Sequence, residues 1–193
     1  MRIAIDIDCV LLDIMPSIIK WHNENYGFDH AFEMFKQYSL DKTWGCSFEE
    51  AVKRVNQFYD SEDFKHLKVI SNAPEVVKQL SKKQDLFVIT SRPERIRKIT
   101  EKQLNAYFPN CFDDIHFTSE YKLKEGIERN KKFEICNSLN ADYLIEDCLE
   151  HIQNFSNGVK AILLDSPWNQ GEIPSYAKRF YSWKEIGAFL SKE

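Results

Sequence analysis

Apolar residues along this chain gather in short, nearly charge-free runs, separated by longer stretches in which they recur every three or four positions. Residues 2–7, 85–90, 115–118, 143–145 and 159–164 are such runs, and 179–181 is a short last one. They are rich in β-branched or aromatic side chains, as strands covered on both faces should be. Between them lie helical patterns. Residues 73–82 follow Asn72 as a candidate cap and carry Pro74 in the first turn. Residues 93–108 place Ile96, Ile99, Gln103 and Tyr107 on one helical face with Leu104 beside them, and Pro109 stops the pattern. Residues 131–139 and 149–155 are shorter. Residues 183–190 follow Ser182 with Glu185 three positions on, a capping box. Strands alternating with helices predict an α/β fold with a doubly wound, Rossmann-like parallel sheet.

One stretch departs from that rhythm. From about residue 13 to residue 70 there is no strand pattern, while Trp21, Tyr26, Phe28, Phe32, Phe35, Tyr38, Trp44, Phe48, Phe58, Tyr59 and Phe64 crowd among helical signals. A small helical body inserted after the first strand accounts for it. The expected division is a sheet domain from residues 1–13 and 71–193, with a helical cap over residues 14–70. So small a body needs most of its aromatic rings for its own core.

Composition narrows the function. A chain of 193 residues can bury one sizeable core plus a small appended one. The formal net charge of -4 gives no electrostatic reason to coat a nucleic-acid polymer or an anionic membrane. A small anionic ligand would need local positive charge from a metal or a few placed cations. The five cysteines are odd in number and hold no Cys-x-x-Cys pair, which argues against a disulfide framework and for a reducing cytoplasm. The start Met-Arg-Ile-Ala-Ile-Asp is not that of an ordinary signal peptide. No apolar run approaches the ~20 residues that span a bilayer.

In an open α/β sheet, ligands bind at the carboxyl ends of the strands. Here those ends read Asp6-Ile7-Asp8, Thr90-Ser91-Arg92 and Glu146-Asp147, and Lys131 and Lys132 begin the helix before the last of these. Singly, each has a plain structural reading: an Asx turn, two helix caps, a solvated charge. Together they converge on one sheet edge, where several carboxylates would repel one another without a cation. A hard divalent ion with carboxylate and carbonyl ligands is magnesium. A carboxylate beside it can attack phosphorus and form an acyl phosphate. A second carboxyl two residues on can protonate the leaving oxygen and then take a proton from water. A hydroxyl and a lysine can hold the equatorial phosphoryl oxygens.

The segments Asp6-Ile-Asp-Cys-Val-Leu-Leu-Asp13, Thr90-Ser-Arg, Lys132 and Glu146-Asp147 resemble the four motifs of the haloacid dehalogenase superfamily of phosphatases. Ile89-Thr-Ser-Arg-Pro, Phe108-Pro-Asn-Cys-Phe-Asp-Asp-Ile-His-Phe-Thr118 and Leu163-Leu-Asp-Ser-Pro-Trp-Asn169 are similar to its cytosolic type C 5′-nucleotidases, the deoxyribonucleotidases, and their bacterial relatives. The resemblance covers nearly the whole chain. It implies Asp6 as nucleophile and Asp8 as acid/base. It implies Thr90, with Ser91, and Lys132 on the phosphate. Magnesium would be held by the Asp6 carboxylate, the Asp8 carbonyl and a motif-four acid, for which Asp147 is favoured. Cys9 stands where many members have Gly or Thr, Glu146 replaces the commoner Asp, and the lysine assignment can slip to Lys131. A second acid at Asp8 argues for phosphoryl transfer rather than dehalogenation.

The expected substrate is a small phosphorylated metabolite, a (deoxy)nucleoside monophosphate by the resemblance. A sugar phosphate is the alternative, and a non-catalytic phosphate-binding regulatory protein is the alternative of another class. The aromatics of the cap favour a nucleobase. Phe64 is the first candidate for stacking on it, with Phe32, Phe35 and Trp44 behind.

Overall fold

In the computed structural model, which describes residues 1–118, 131–153 and 158–193, Arg2–Ile5 forms strand β1. Ile3, Ala4 and Ile5 have no solvent exposure, as befits a strand with a parallel neighbour on each side. After a tight turn, Leu12–Asp13 (β2) pairs antiparallel with Lys68–Val69 (β3). Between these two-residue strands lie the helices α1 (Ile14–Tyr26), α2 (Leu40–Trp44), α3 (Phe48–Tyr59) and α4 (Glu62–Lys65), with a 3₁₀ turn at Phe32–Met34. The chain then runs through α5 (Ala73–Leu80), β4 (Asp85–Thr90), a 3₁₀ turn at Glu94–Ile96, α6 (Arg97–Tyr107) and β5 (Asp114–Phe117). It continues with α7 (Lys131–Ser138), β6 (Tyr143–Glu146), α8 (Leu149–Ile152), β7 (Lys160–Leu164), β8 (Ala177–Phe180) and α9 (Trp183–Leu190).

The main sheet has the order β5-β4-β1-β6-β7-β8 and every pairing is parallel. From β1 the chain winds out to β4 and β5, then returns to the other side of β1 for β6, β7 and β8. The order therefore reverses at β1, and a crevice opens at its carboxyl end.

Period-two alternation sends Ile3, Ile5, Val88, Ile145 and Ile162 to one face, under α5 and α9, and Ala4, Ile89, Leu144, Ala161 and Leu163 to the other, against Cys136 and Ile152. Each such isoleucine, leucine or valine contributes roughly 1.5–3 kcal/mol when taken fully out of water. On the first face α9 closes tightly on α5: a Cβ at Gly187 would meet Val76 Cγ1 at 2.8 Å. The indole of Trp183, with no exposure, donates from Nε1 to the Val10 carbonyl at 2.7 Å. That bond ties α9 to the turn that follows β1.

The first core continues into the helical body, where Phe35, Phe58 and Phe64 are unexposed and Trp44 is 2% exposed. His22 stacks on Trp44 with ring centres 4.1 Å apart. Among the described residues, no helix is long and apolar enough to cross a membrane.

The six strand runs and the alternating pattern appear as expected, with ends shifted by one or two residues. Three details differ. Val69 and Lys68 form a strand inside the stretch read as strand-free, because two residues are too few to show a period. The buried face of α6 is Thr100, Gln103 and Leu104, with Ile96 just before the helix, rather than a face that includes Tyr107. Tyr107 is 39% exposed and uses its hydroxyl to donate to the Leu67 carbonyl at 3.1 Å. Asn72 precedes α5 in the left-handed region, at φ 63°, without a side-chain cap. Of the helix expected over residues 149–155, positions 154 and 155 lie outside the described residues.

Candidate active site

The turn after β1 builds the centre of the site. Asp6 N donates to the Ile145 carbonyl at 3.0 Å, which keeps the residue in register with β6 one step past the strand. Ile7 O then accepts from Leu11 N and Leu12 N at 2.8 and 2.9 Å, and Cys9 N donates to Leu12 O at 2.8 Å. Closing so tight a turn forces Cys9 to φ 62°, a left-handed conformation that costs a non-glycine residue energy.

Asp6 is 5% exposed. Its Oδ1 lies 2.8 Å from Lys132 Nζ, and the same ammonium donates to Glu146 Oε1 at 2.8 Å. Lys132 stands in the first turn of α7, and Glu146 is the last residue of β6, so two elements converge on the turn after the third. Glu146 Oε1 also contacts His151 Nδ1, and its Oε2 accepts from Asp147 N at 3.2 Å. Asp147 is buried; its Oδ2 accepts from Trp168 Nε1 at 2.8 Å and its carbonyl from Asn169 Nδ2 at 2.7 Å. Lys131, the neighbour that could have taken the lysine role, turns its Nζ to the Thr118 carbonyl at 3.3 Å.

Asp6, Glu146 and Asp147 bring carboxylate oxygens within 4.8 Å of one another. Burial raises the proton affinity of Asp6 well above the ordinary carboxylate range, helped by the charges of Glu146 and Asp8 and opposed by Lys132. Burial, with Glu146 and Asp6, does the same to Asp147. Glu146 goes the other way. Burial pushes it up, but Lys132 and His151 hold it down to about 2. Lys132, buried as it is, is held above its ordinary value by Asp6 and Glu146. Three carboxylates around a single ammonium leave an excess of negative charge in a dry site. Their hard oxygen donors fit a divalent cation of the magnesium type.

At the end of β4, Thr90 is buried and its hydroxyl accepts from Arg92 N at 3.2 Å. Ser91 Oγ is buried with no hydrogen-bond partner among the described residues. The Asp8 carboxylate takes a forked ion pair from Arg92, Nη2 to Oδ1 at 2.7 Å and Nε to Oδ2 at 3.0 Å.

Against known proteins, residues 1–192 match the family described as 5′ nucleotidase, deoxy (Pyrimidine), cytosolic type C protein. The chain belongs to this 5′-nucleotidase family. The 5′(3′)-deoxyribonucleotidase of Bacillus subtilis strain 168 is 28% identical over 188 residues, covering 95% of each chain. A solved haloacid dehalogenase-like hydrolase from Streptococcus pneumoniae superposes with a TM-score of 0.71 at 13% identity, over 98% of this chain and 97% of that one. A HAD-hydrolase of Bacillus subtilis bound to magnesium superposes with a TM-score of 0.63 at 16% identity, over 98% and 97%. The family makes this chain a hydrolase of the phosphatase and nucleotidase class, and the structural likeness shows the haloacid dehalogenase-like fold.

Of the residues read from the sequence of this nucleotidase-family chain, Asp6, Lys132 and Asp147 meet in one cluster. Thr90, Ser91 and Asp8 stand at the neighbouring strand ends. The aromatic candidates divide. Phe64, Phe35 and Trp44 are enclosed in the helical body's core and leave no ring face for a ligand. Phe32 is 38% exposed and sets its ring edge-on to Trp168, centres 6.1 Å apart. Phe32 and Trp168, with Cys9, Asp13, Gln170 and Tyr181, line a cleft of about 630 Å³. Tyr38, not singled out in the sequence, sits edge-on to His151 at 5.4 Å. His151, Trp168 and Asn169, which buttress the acids, were also missed as site residues. Trp168 and Asn169 follow the carboxyl end of β7, and that position was the available signal.

Proposed function

We propose that this family member is a magnesium-dependent 5′-nucleotidase that hydrolyses (deoxy)nucleoside monophosphates through a phosphorylated Asp6. The observation that carries the reading is the Lys132 ammonium, 2.8 Å from both Asp6 and Glu146, with Asp147 in the same carboxylate cluster. Asp6 attacks phosphorus, the bond to the 5′ oxygen breaks, and Asp8 protonates that oxygen as it leaves. Asp8 then takes a proton from the water that attacks the acyl phosphate, which releases phosphate and restores Asp6. Lys132, Thr90 and the hydroxyl of Ser91, which has no partner among the described residues, hold the non-bridging oxygens. Asp6, Asp147 and the Asp8 carbonyl would hold magnesium, which supplies charge neutralisation of the phosphoryl group.

The helical body over residues 14–70 serves as the cap that selects substrate. Phe32, at the mouth of the cleft, offers a face for a base. Such stacking is worth about 1–3 kcal/mol, or roughly ten- to hundredfold in specificity. The test is phosphate release with magnesium from deoxyuridylate, thymidylate and ribose 5-phosphate. Preference for the two nucleotides supports the reading. Equal specificity constants for the sugar phosphate would end the nucleotidase assignment and leave a phosphatase for another metabolite.

A further inference from the structure

Arg92 follows the Thr90-Ser91 pair, yet its guanidinium is not offered to a ligand. The side chain has no solvent exposure. Nε and Nη2 fork onto the two oxygens of Asp8, while Nη1 donates to Thr100 Oγ1 at 3.1 Å and Gln103 Oε1 at 2.8 Å. Thr100 and Gln103 are themselves buried polar residues on α6, 0% and 5% exposed. Gln103 also donates from Nε2 to the Phe64 carbonyl, and the Phe64 ring lies under the guanidinium, 4.8 Å from Cζ. A buried arginine costs free energy unless its donors are satisfied. Here the acceptors come from the turn after β1 and from α6, and α4 of the helical body adds the ring against the guanidinium.

We propose that Arg92 is the positioning residue for Asp8, and that it links the carboxylate to the end of the helical body at Phe64. This rests on the reading of Asp8 as acid and base. A guanidinium fork fixes both the place and the plane of a carboxylate, which a point charge cannot do. Proton delivery to a departing alkoxide depends on that plane, because the donor oxygen must lie within hydrogen-bond reach of the leaving oxygen. Asp8 is 26% exposed at its side chain and so remains open to substrate on one side while Arg92 closes the other. Thr100 and Gln103 hold Arg92 from behind. The position of α4 therefore reaches Arg92 through two hydrogen bonds and a ring contact, and Asp8 through the fork beyond it.

The experiment compares wild type, Asp8→Asn, Arg92→Lys and Gln103→Met, each with magnesium, on thymidylate and on p-nitrophenyl phosphate. Inorganic phosphate serves as competitive inhibitor, and thermal melts report folding. Arg92→Lys is expected to lower kcat on thymidylate about 10²-fold, the scale of a misplacement near 1 Å. It should spare most of the rate on p-nitrophenyl phosphate, whose leaving group needs no proton, and leave phosphate inhibition unchanged. Gln103→Met keeps Arg92 but removes one of its acceptors and the link to Phe64. It is expected to show the same split at smaller size, and it decides the matter if Arg92→Lys does not fold. Equal losses on both substrates, or weakened phosphate inhibition in step with kcat, would overturn the proposal. If Asp8→Asn shows the split and neither Arg92→Lys nor Gln103→Met does, the inference alone falls. If Asp8→Asn shows no split, the acid role of Asp8 falls and takes the inference with it.

Discussion

Replacing Lys132 by Met keeps an unbranched side chain, one atom shorter, and removes the charge that lies between Asp6 and Glu146. The ammonium is 1% exposed and lies 2.8 Å from one oxygen of Asp6 and one of Glu146. At an effective dielectric of about 20, each pair attracts by roughly 6 kcal/mol. Desolvating the three ions offsets most of that gain, so the net cost of removing one partner from a buried pair is about 3–5 kcal/mol. Domains are stable by only about 5–15 kcal/mol, so Lys132→Met should fold but melt about 10 °C or more below wild type. The variant can recover part of the loss by taking up a proton on Asp6 or Asp147, whose proton affinities burial and Glu146 already raise. A carboxyl with a raised folded-state pKa loses stability as pH rises through that value. The penalty should therefore be larger near pH 8 than near pH 5. Magnesium should stabilise the variant more than wild type, because it meets three carboxylates with no ammonium among them. Urea unfolding at both pH values, with and without millimolar magnesium, measures all of this. A loss under about 1 kcal/mol, with no dependence on pH or magnesium, would refute the electrostatic account of the site.

Three further outcomes are expected. Asp6→Asn abolishes turnover and trapping of the acyl phosphate on acid quench, since an amide cannot serve as the nucleophile; rates near wild type would remove the mechanism. Glu146, held down to about 2, gives stability that is complete above pH 4.5 and is lost as pH falls toward 2. An acid unfolding series should then show Glu146→Gln losing less stability across that window than wild type. Phe32→Ala raises KM for thymidylate by roughly ten- to hundredfold and leaves ribose 5-phosphate unchanged; parallel changes on both substrates would place Phe32 outside the base contact.

The sheet was readable because its strands are buried on both faces, and burial on both faces writes an unbroken apolar run. Asp6, Thr90, Lys132 and Glu146-Asp147 could be placed together because they sit at or beside the same ends of successive elements. The face a ring presents is not written in its density. Phe64 and Trp44 looked like ligand platforms for the same reason that they are core: a small body needs large side chains to fill it. On α6 the inner face was read with Gln103 in place but with Tyr107 in it and Thr100 left out, since a period of apolar residues gives no credit to a polar one; the buried polar pair there is Thr100 and Gln103. Those two are buried to receive Arg92, a partner that the sequence holds eight and eleven positions away and that only the fold brings into contact.

The bond from Trp183 to the Val10 carbonyl spans 173 residues. It sets an order of events during synthesis. Residues 6–12 are made well before the partners of β1 and must wait for β4 and β6 before that strand has neighbours, then for Trp183 before the turn that carries Asp6 and Asp8 is clamped. At roughly 5–20 residues per second, that interval is of the order of ten to forty seconds. A nascent chain arrested before residue 183 would hold the turn of Asp6 and Asp8 without its indole anchor, so hydrolysis should begin only after Trp183 has been made and has folded back onto Val10.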